Sequence, residues 1–279
     1  MKKLSVLLSL CLALYCIPTA TAASINILWY TGGTEASGPG TYEAGISNLV
    51  SQALTAPISV HNNWSITFWT GGPVPAGAYN VLVAASREGF WSTNPDYTSL
   101  VNAINSHAIS FGDRIMVTGQ DADWHYLNFP GSAAFDNPQG FLIDSINWAG
   151  SGNGLGAVFL STGLESTLFT GLGTQSPLNN NAVVIPPAFA TFPINEGLTT
   201  AGLSNWSSSS HDIWTGVDTT LWTGINTTND PTQFVTLVTA ATASGGTGGG
   251  VPEPGTLALF GLGIAGLATH RRHRRKRTS

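Results

Sequence analysis

Short, unbroken apolar runs alternate with stretches of helical spacing through the first 160 residues of the chain. Ile25-Asn26-Ile27-Leu28-Trp29-Tyr30 reads as a strand that stops at Thr31-Gly32-Gly33. Thr41 is placed to cap a helix over 42–54, with Ala44, Ile46, Leu49, Val50 and Ala53 as its apolar positions. Residues 65–69 read as a second strand and 79–85 as a third. Pro95 and Asp96 introduce a helix over 97–107, and 114–118 is the fourth strand. Pro138 precedes a helix over 139–149, and 155–160 is the fifth strand. Continuous apolar strands are buried on both faces, and intervening helices serve as crossovers. The pattern therefore predicts an α/β fold: a mainly parallel sheet with helices on both faces.

After about Thr170 the pattern changes. Asn179-Asn180-Asn181, Pro186-Pro187 and Ser207-Ser208-Ser209-Ser210 punctuate short apolar pieces, so this part reads as irregular, with loops, a few strands and short helices. Residues 234–238 form the last strand, returning to the sheet edge. Residues 242–250 are a Gly/Ser/Thr linker. Trp-Thr-Gly recurs at Trp69, Trp214 and Trp222, but an internal repeat needs a fixed period and these spacings are irregular.

Composition changes the picture mainly at the ends. Lys2 and Lys3 precede an apolar stretch from Leu4 to Ile17, and Ala20-Thr21-Ala22 has the small-x-small form of a cleavage site. Residues 1–22 thus read as a secretory signal peptide cut after Ala22, leaving an extracytoplasmic body over 23–241. Cys11 and Cys16 both fall in the signal, so the mature body has no thiol and no disulfide. Its only cations are Arg87 and Arg114. Two cations against fourteen carboxylates leave 23–250 at −12, whereas the whole chain reads −5. Such a body has no basic footprint for nucleic acid.

The other end carries Val251-Pro252-Glu253-Pro254, an apolar run over 256–269, and a tail at 270–279 in which six of the last nine residues are Lys or Arg. The prolines hold the box extended. The run of 14 residues makes about 21 Å of helix, and the cationic end holds the C-terminus in the cytoplasm. This order of box, single transmembrane helix and Arg cluster closely resembles the PEP-CTERM sorting signal of Gram-negative envelope proteins. The resemblance covers about a tenth of the chain. It implies a cell-envelope or secreted biofilm protein, anchored in the inner membrane before an exosortase processes it at Pro252-Glu253-Pro254. The implied partners are the exosortase and exopolysaccharide; no cofactor is expected.

Candidate chemistry gathers at the carboxyl ends of the strands, where open α/β sheets bind ligands. Glu35 follows the first strand, Arg87 and Glu88 the third. After the fourth stands Gly119-Gln120-Asp121-Ala122-Asp123-Trp124-His125. The strand order and this glycine turn resemble the class I glutamine amidotransferase-like, flavodoxin-like fold over about 25–162. That family carries a Gly-x-Cys-x-Gly nucleophile; here Gln120 and Asp121 stand near the cysteine position and the second glycine is missing. The resemblance therefore excludes amidotransfer by the family mechanism. Asp121, Asp123 and His125 alternate, so on an extended segment they share a face and can hold a divalent cation or supply a base. The competing reading is structural: such residues cap helices or complete loops, and Arg87 can neutralise the cluster. His211-Asp212 is a second possible contribution. Trp91, Trp124, Trp206, Trp214 and Trp222 fall in loop-like stretches and could offer a sugar-stacking platform. The sequence supports an exported protein with a non-enzymatic structural or binding role. A metal-assisted hydrolase using Asp121, Asp123 and His125, and a glycan-binding module, stand as alternatives.

Overall fold

The computed structural model of the chain describes residues 23–35, 41–87, 92–128 and 138–240. These lie within one unit, Ala22–Gly246. The expected signal peptide with Ala22, the linker, the box Pro252-Glu253-Pro254, the membrane helix and the basic tail lie outside the described residues, as do Glu88 and Trp91. Among the described residues no helix is long and apolar enough to cross a membrane.

The first five strands pair in parallel. β1 (Ala23–Tyr30) lies between β2 (Asn62–Trp69) and β3 (Val81–Ala84). β5 (Leu155–Leu160) joins β3 to β4 (Phe111–Thr118). The order 2-1-3-5-4 differs from the flavodoxin-like 2-1-3-4-5, because β5 inserts inside β4. Beyond β4 every pairing is antiparallel. β9 (Phe234–Thr239) pairs with β4, β8 (Trp222–Thr227) and β7 (Ser210–Thr215), and β7 pairs with β6 (Thr174–Asn180).

The sheet is thus mixed, which corrects the expectation of a mainly parallel one, and β9 lies inside the sheet instead of at its edge. The cause is the lack of crossover helices past Thr170. Parallel neighbours need a crossover of a dozen or more residues, whereas antiparallel ones can be joined by a short turn. Past Thr170 the one described α-helix has four residues, Thr200–Leu203.

Alternation along the strands splits the core in two. Ile25, Ile27 and Trp29 face one side with α1 (Tyr42–Ser47), α2 (Leu49–Ala53) and α5 (Pro138–Gly150). Leu28 and Tyr30 face the other with α3 (Thr98–Asn105) and Trp69, Trp214 and Trp222. Helices therefore cover both faces. α5 is buried around almost its whole circumference. The sheet covers one side, and Phe192, Ile194, Leu198, Leu203 and Trp206 of the irregular second half join the same core. A helix buried all round requires such a double cover. The remaining short helices are α4 (Ala122–Asn128) and α6 (Glu165–Leu168).

Candidate functional site

The site begins where β4 ends. Gly119 donates its N–H to Val235 O at 2.8 Å and accepts from His211 N at 2.7 Å. A Cβ on Gly119 would stand 1.8 Å from Asp212 O, so only glycine lets the start of β7 cross there. That crossing delivers His211. Asp121 follows as the residue before α4. The segment expected to be extended is helical from Ala122, which places His125 one turn beyond Asp121 and turns Asp123 elsewhere.

Asp121 is fully buried. Its Oδ1 lies 3.1 Å from His125 Nε2 and 3.2 Å from His211 Nε2. His125 is 1 % exposed and His211 19 %. The two rings are near parallel, 6.3 Å apart. Trp124 packs edge-on against His125 at 4.9 Å, and Trp206 lies at 5.7 Å. Ser208 O lies 3.3 Å from His125 Nε2. The loop carrying it is shaped by Asn181, whose Oδ1 accepts from the N–H groups of Ser208 and Ser209 while Ser207 and Ser208 adopt positive φ. The Asn and Ser runs that only punctuate the sequence thus meet in space.

Burial pushes the Asp121 carboxyl up, but hydrogen bonds and charge from the two imidazoles outweigh it and hold the group below the usual carboxylate range. Asp123 goes the other way. Burial raises it, and hydrogen bonds from Tyr42 and Ser86 do not offset that, with the Asp121 charge adding to the rise. Its Oδ2 accepts from Tyr42 Oη at 2.7 Å and Ser86 N at 3.0 Å, while Trp29 Nε1 donates to Tyr42 Oη at 3.0 Å. Two carboxylates in three residues therefore hold opposite protonation tendencies.

The expected residues separate accordingly. Asp121 and His125 meet; Asp123 does not join them. Arg87 is exposed, with its guanidinium beside Gly163, and its charge acts on Asp212 and Tyr97. It is not the partner of Asp121, which corrects the expectation that Arg87 neutralises the cluster. Glu35 pairs through its backbone with Ser92 and Thr93 and stays exposed, apart from Asp121. His211, read from sequence as a lesser contribution, is a full member. Of the tryptophans read as a platform, Trp206, Trp214 and Trp222 are buried, Trp124 is half-buried and Trp91 lies outside the described residues.

Four further residues join the neighbourhood without having been expected there. Ser161, at φ 44° just past β5, donates Oγ to Asp212 Oδ2 at 3.0 Å. Thr162 N and Oγ1 donate to buried Glu165 at 2.6 and 2.9 Å. The Thr-x-x-Glu spacing has the form of a capping box, but the helix begins at Glu165 and the pair closes the turn before it. Tyr42 carries no local signal, since only the fold brings it to Asp123.

Among known families, the PEP-CTERM protein-sorting motif matches residues 250–272. The chain is therefore an exported protein sorted by an exosortase, passing through the inner membrane to the cell envelope or beyond. No curated protein and no solved structure matches the chain, so the amidotransferase-like resemblance of the body gains no support from them.

Proposed function

We propose that this exosortase-sorted chain is an envelope or extracellular-matrix protein whose α/β body is a binding module, with its ligand site at the carboxyl edge around Asp121. In this reading 1–22 is removed, 23–241 is the body, 242–250 is a spacer and 251–279 is the sorting signal. Asp121 carries the proposal. It stands at a helix cap position, where a side-chain oxygen ordinarily accepts a backbone N–H. Neither oxygen does so, and both are buried without a well-formed hydrogen bond. Burying a carboxylate without well-formed hydrogen bonds carries a desolvation cost, and such groups cluster at functional sites.

A hydrolase using Asp121, Asp123 and His125 together has less support, because Asp123 turns to Tyr42 and Ser86. A sugar platform of Trp206, Trp214 and Trp222 has less as well, because all three are buried. Exopolysaccharide, as a partner, would have to meet the body elsewhere on its surface.

Asp121→Asn tests the reading by urea unfolding of the purified protein. A binding residue gives a variant at least as stable as the wild type. A loss of about 1–3 kcal/mol assigns Asp121 to the scaffold and overturns the proposal.

A further inference from the structure

Resting on that reading of the carboxyl edge, we infer that its ligand is a divalent transition-metal ion held by Asp121, His125 and His211. One donor atom from each lies within 4.8 Å of the others. The carboxylate-to-imidazole distances of 3.1 and 3.2 Å are already those of a coordination shell: ligands bound to zinc at 2.0–2.1 Å in a tetrahedron stand about 3.3 Å apart. Asp121 and His125 are fixed by one turn at the start of α4. The third ligand comes from β7, whose position is set by the Gly119 crossing and by the bond from His211 N to Gly119 O at 2.7 Å.

The donor set selects the ion. Two imidazole nitrogens and one carboxylate oxygen suit Zn²⁺, Fe²⁺, Mn²⁺ or Co²⁺, whereas Ca²⁺ and Mg²⁺ favour oxygen throughout. Three protein ligands leave a coordination position for water or a further ligand. His211, the partly exposed member, marks the side of entry. Hydrogen bonding alone accounts for less. Both oxygens of Asp121 are buried without a well-formed hydrogen bond although two imidazoles stand at 3.1 and 3.2 Å from Oδ1, and hydrogen bonding gives no reason for Asp121 to decline the helix cap. An ion between the three residues uses the carboxylate that the helix does not. Trp124 and Trp206 then hold the His125 ring in place, as outer-shell groups do at metal sites.

The purified full chain, stripped with chelator, is titrated with Zn²⁺, Co²⁺ and Ca²⁺ and followed by calorimetry, melting and Co²⁺ absorption. One equivalent of Zn²⁺ or Co²⁺ binds with a rise in Tm, Co²⁺ shows bands of nitrogen–oxygen ligation, and Ca²⁺ gives no shift. His211→Ala and the bulkier His211→Gln each weaken Zn²⁺ binding by about 100-fold or more and abolish the Co²⁺ bands. His61→Ala, outside the cluster, leaves both unchanged. Absence of saturable Zn²⁺ or Co²⁺ binding in the wild type, or binding unaltered in both His211 variants, overturns the assignment. That failure leaves the stability of Asp121→Asn untouched, so the broader binding-module reading is judged separately.

Discussion

The two halves of the sheet are built differently. Among β1 to β5 every pairing is parallel, with helices crossing between strands whose inner members, β3 and β5, are buried on both faces. From β6 to β9 every pairing is antiparallel, and the strands carry Thr, Ser and Asn between their core residues. The candidate site falls on the seam: Asp121 and His125 follow β4 of the first half, and His211 belongs to β7 of the second. A parallel half alone supplies one turn of helix with two donors. The third arrives only because an antiparallel strand crosses its carboxyl edge.

Gly119→Ala breaks the comparison most directly. The new Cβ meets Asp212 O, and neither backbone can yield without losing the bonds to Val235 and His211. We expect a loss of about 3 kcal/mol or more in urea unfolding, above the usual cost of overpacking because the clash is with backbone. Hydrogen exchange at the His211 amide should rise with it. A near-neutral variant would mean that the halves are not fastened at this point.

Asp144 tests a second seam contact. It lies on α5 of the first half, and burial pushes its carboxyl up to about 9, with the charge of Glu196 from the second half adding to the rise. The sign is fixed by proton counting. Between 3.8 and about 9 the folded state holds a proton that the unfolded state releases, so Asp144 destabilises the fold increasingly as pH rises across that window. Its contribution falls by as much as about 1.4 kcal/mol per pH unit. Asp144→Asn should flatten that decline, giving a Tm gain that is larger at pH 8 than at pH 5. An equal gain at both pH values would show that Asp144 ionises freely in the fold.

The smallest effects sharpen the comparison. Thr41 caps α1 by accepting from Ala44 N at 3.2 Å, and Thr199 caps Thr200–Leu203 by accepting from Gly202 N at 2.9 Å. Replacing either by Ala should cost about 1 kcal/mol. Because β9 fastens the halves into one sheet, each variant should still unfold in a single transition seen by tryptophan fluorescence and circular dichroism. Two separated transitions would show the halves to be independent.

The same boundary divides what was legible in the chain. The parallel strands and their helices stand close to where the apolar runs place them, although the helix expected over 42–54 divides at Asn48. Local composition decides such elements, since a buried strand must be apolar on both faces. β6, β7 and β8 were not placed, because their residues suit turns and loops as well as strands, and long-range pairing selects among those options. The site divided in the same way. Asp121 and His125 were legible from their place after the fourth strand, whereas their separation from Asp123 was not, because it depends on a helix starting at Ala122.

By itself the sequence determined the sorting motif at 250–272, the apolar strands of the first half and the strand end at which the candidate chemistry sits. These are local properties of hydropathy, charge and turn residues. Only the tertiary structure decided that the sheet is mixed, that Arg87 lies apart from Asp121, and that His211 completes the cluster. Those outcomes depend on which distant backbone can approach Gly119, and that is a matter of packing between residues about ninety positions apart.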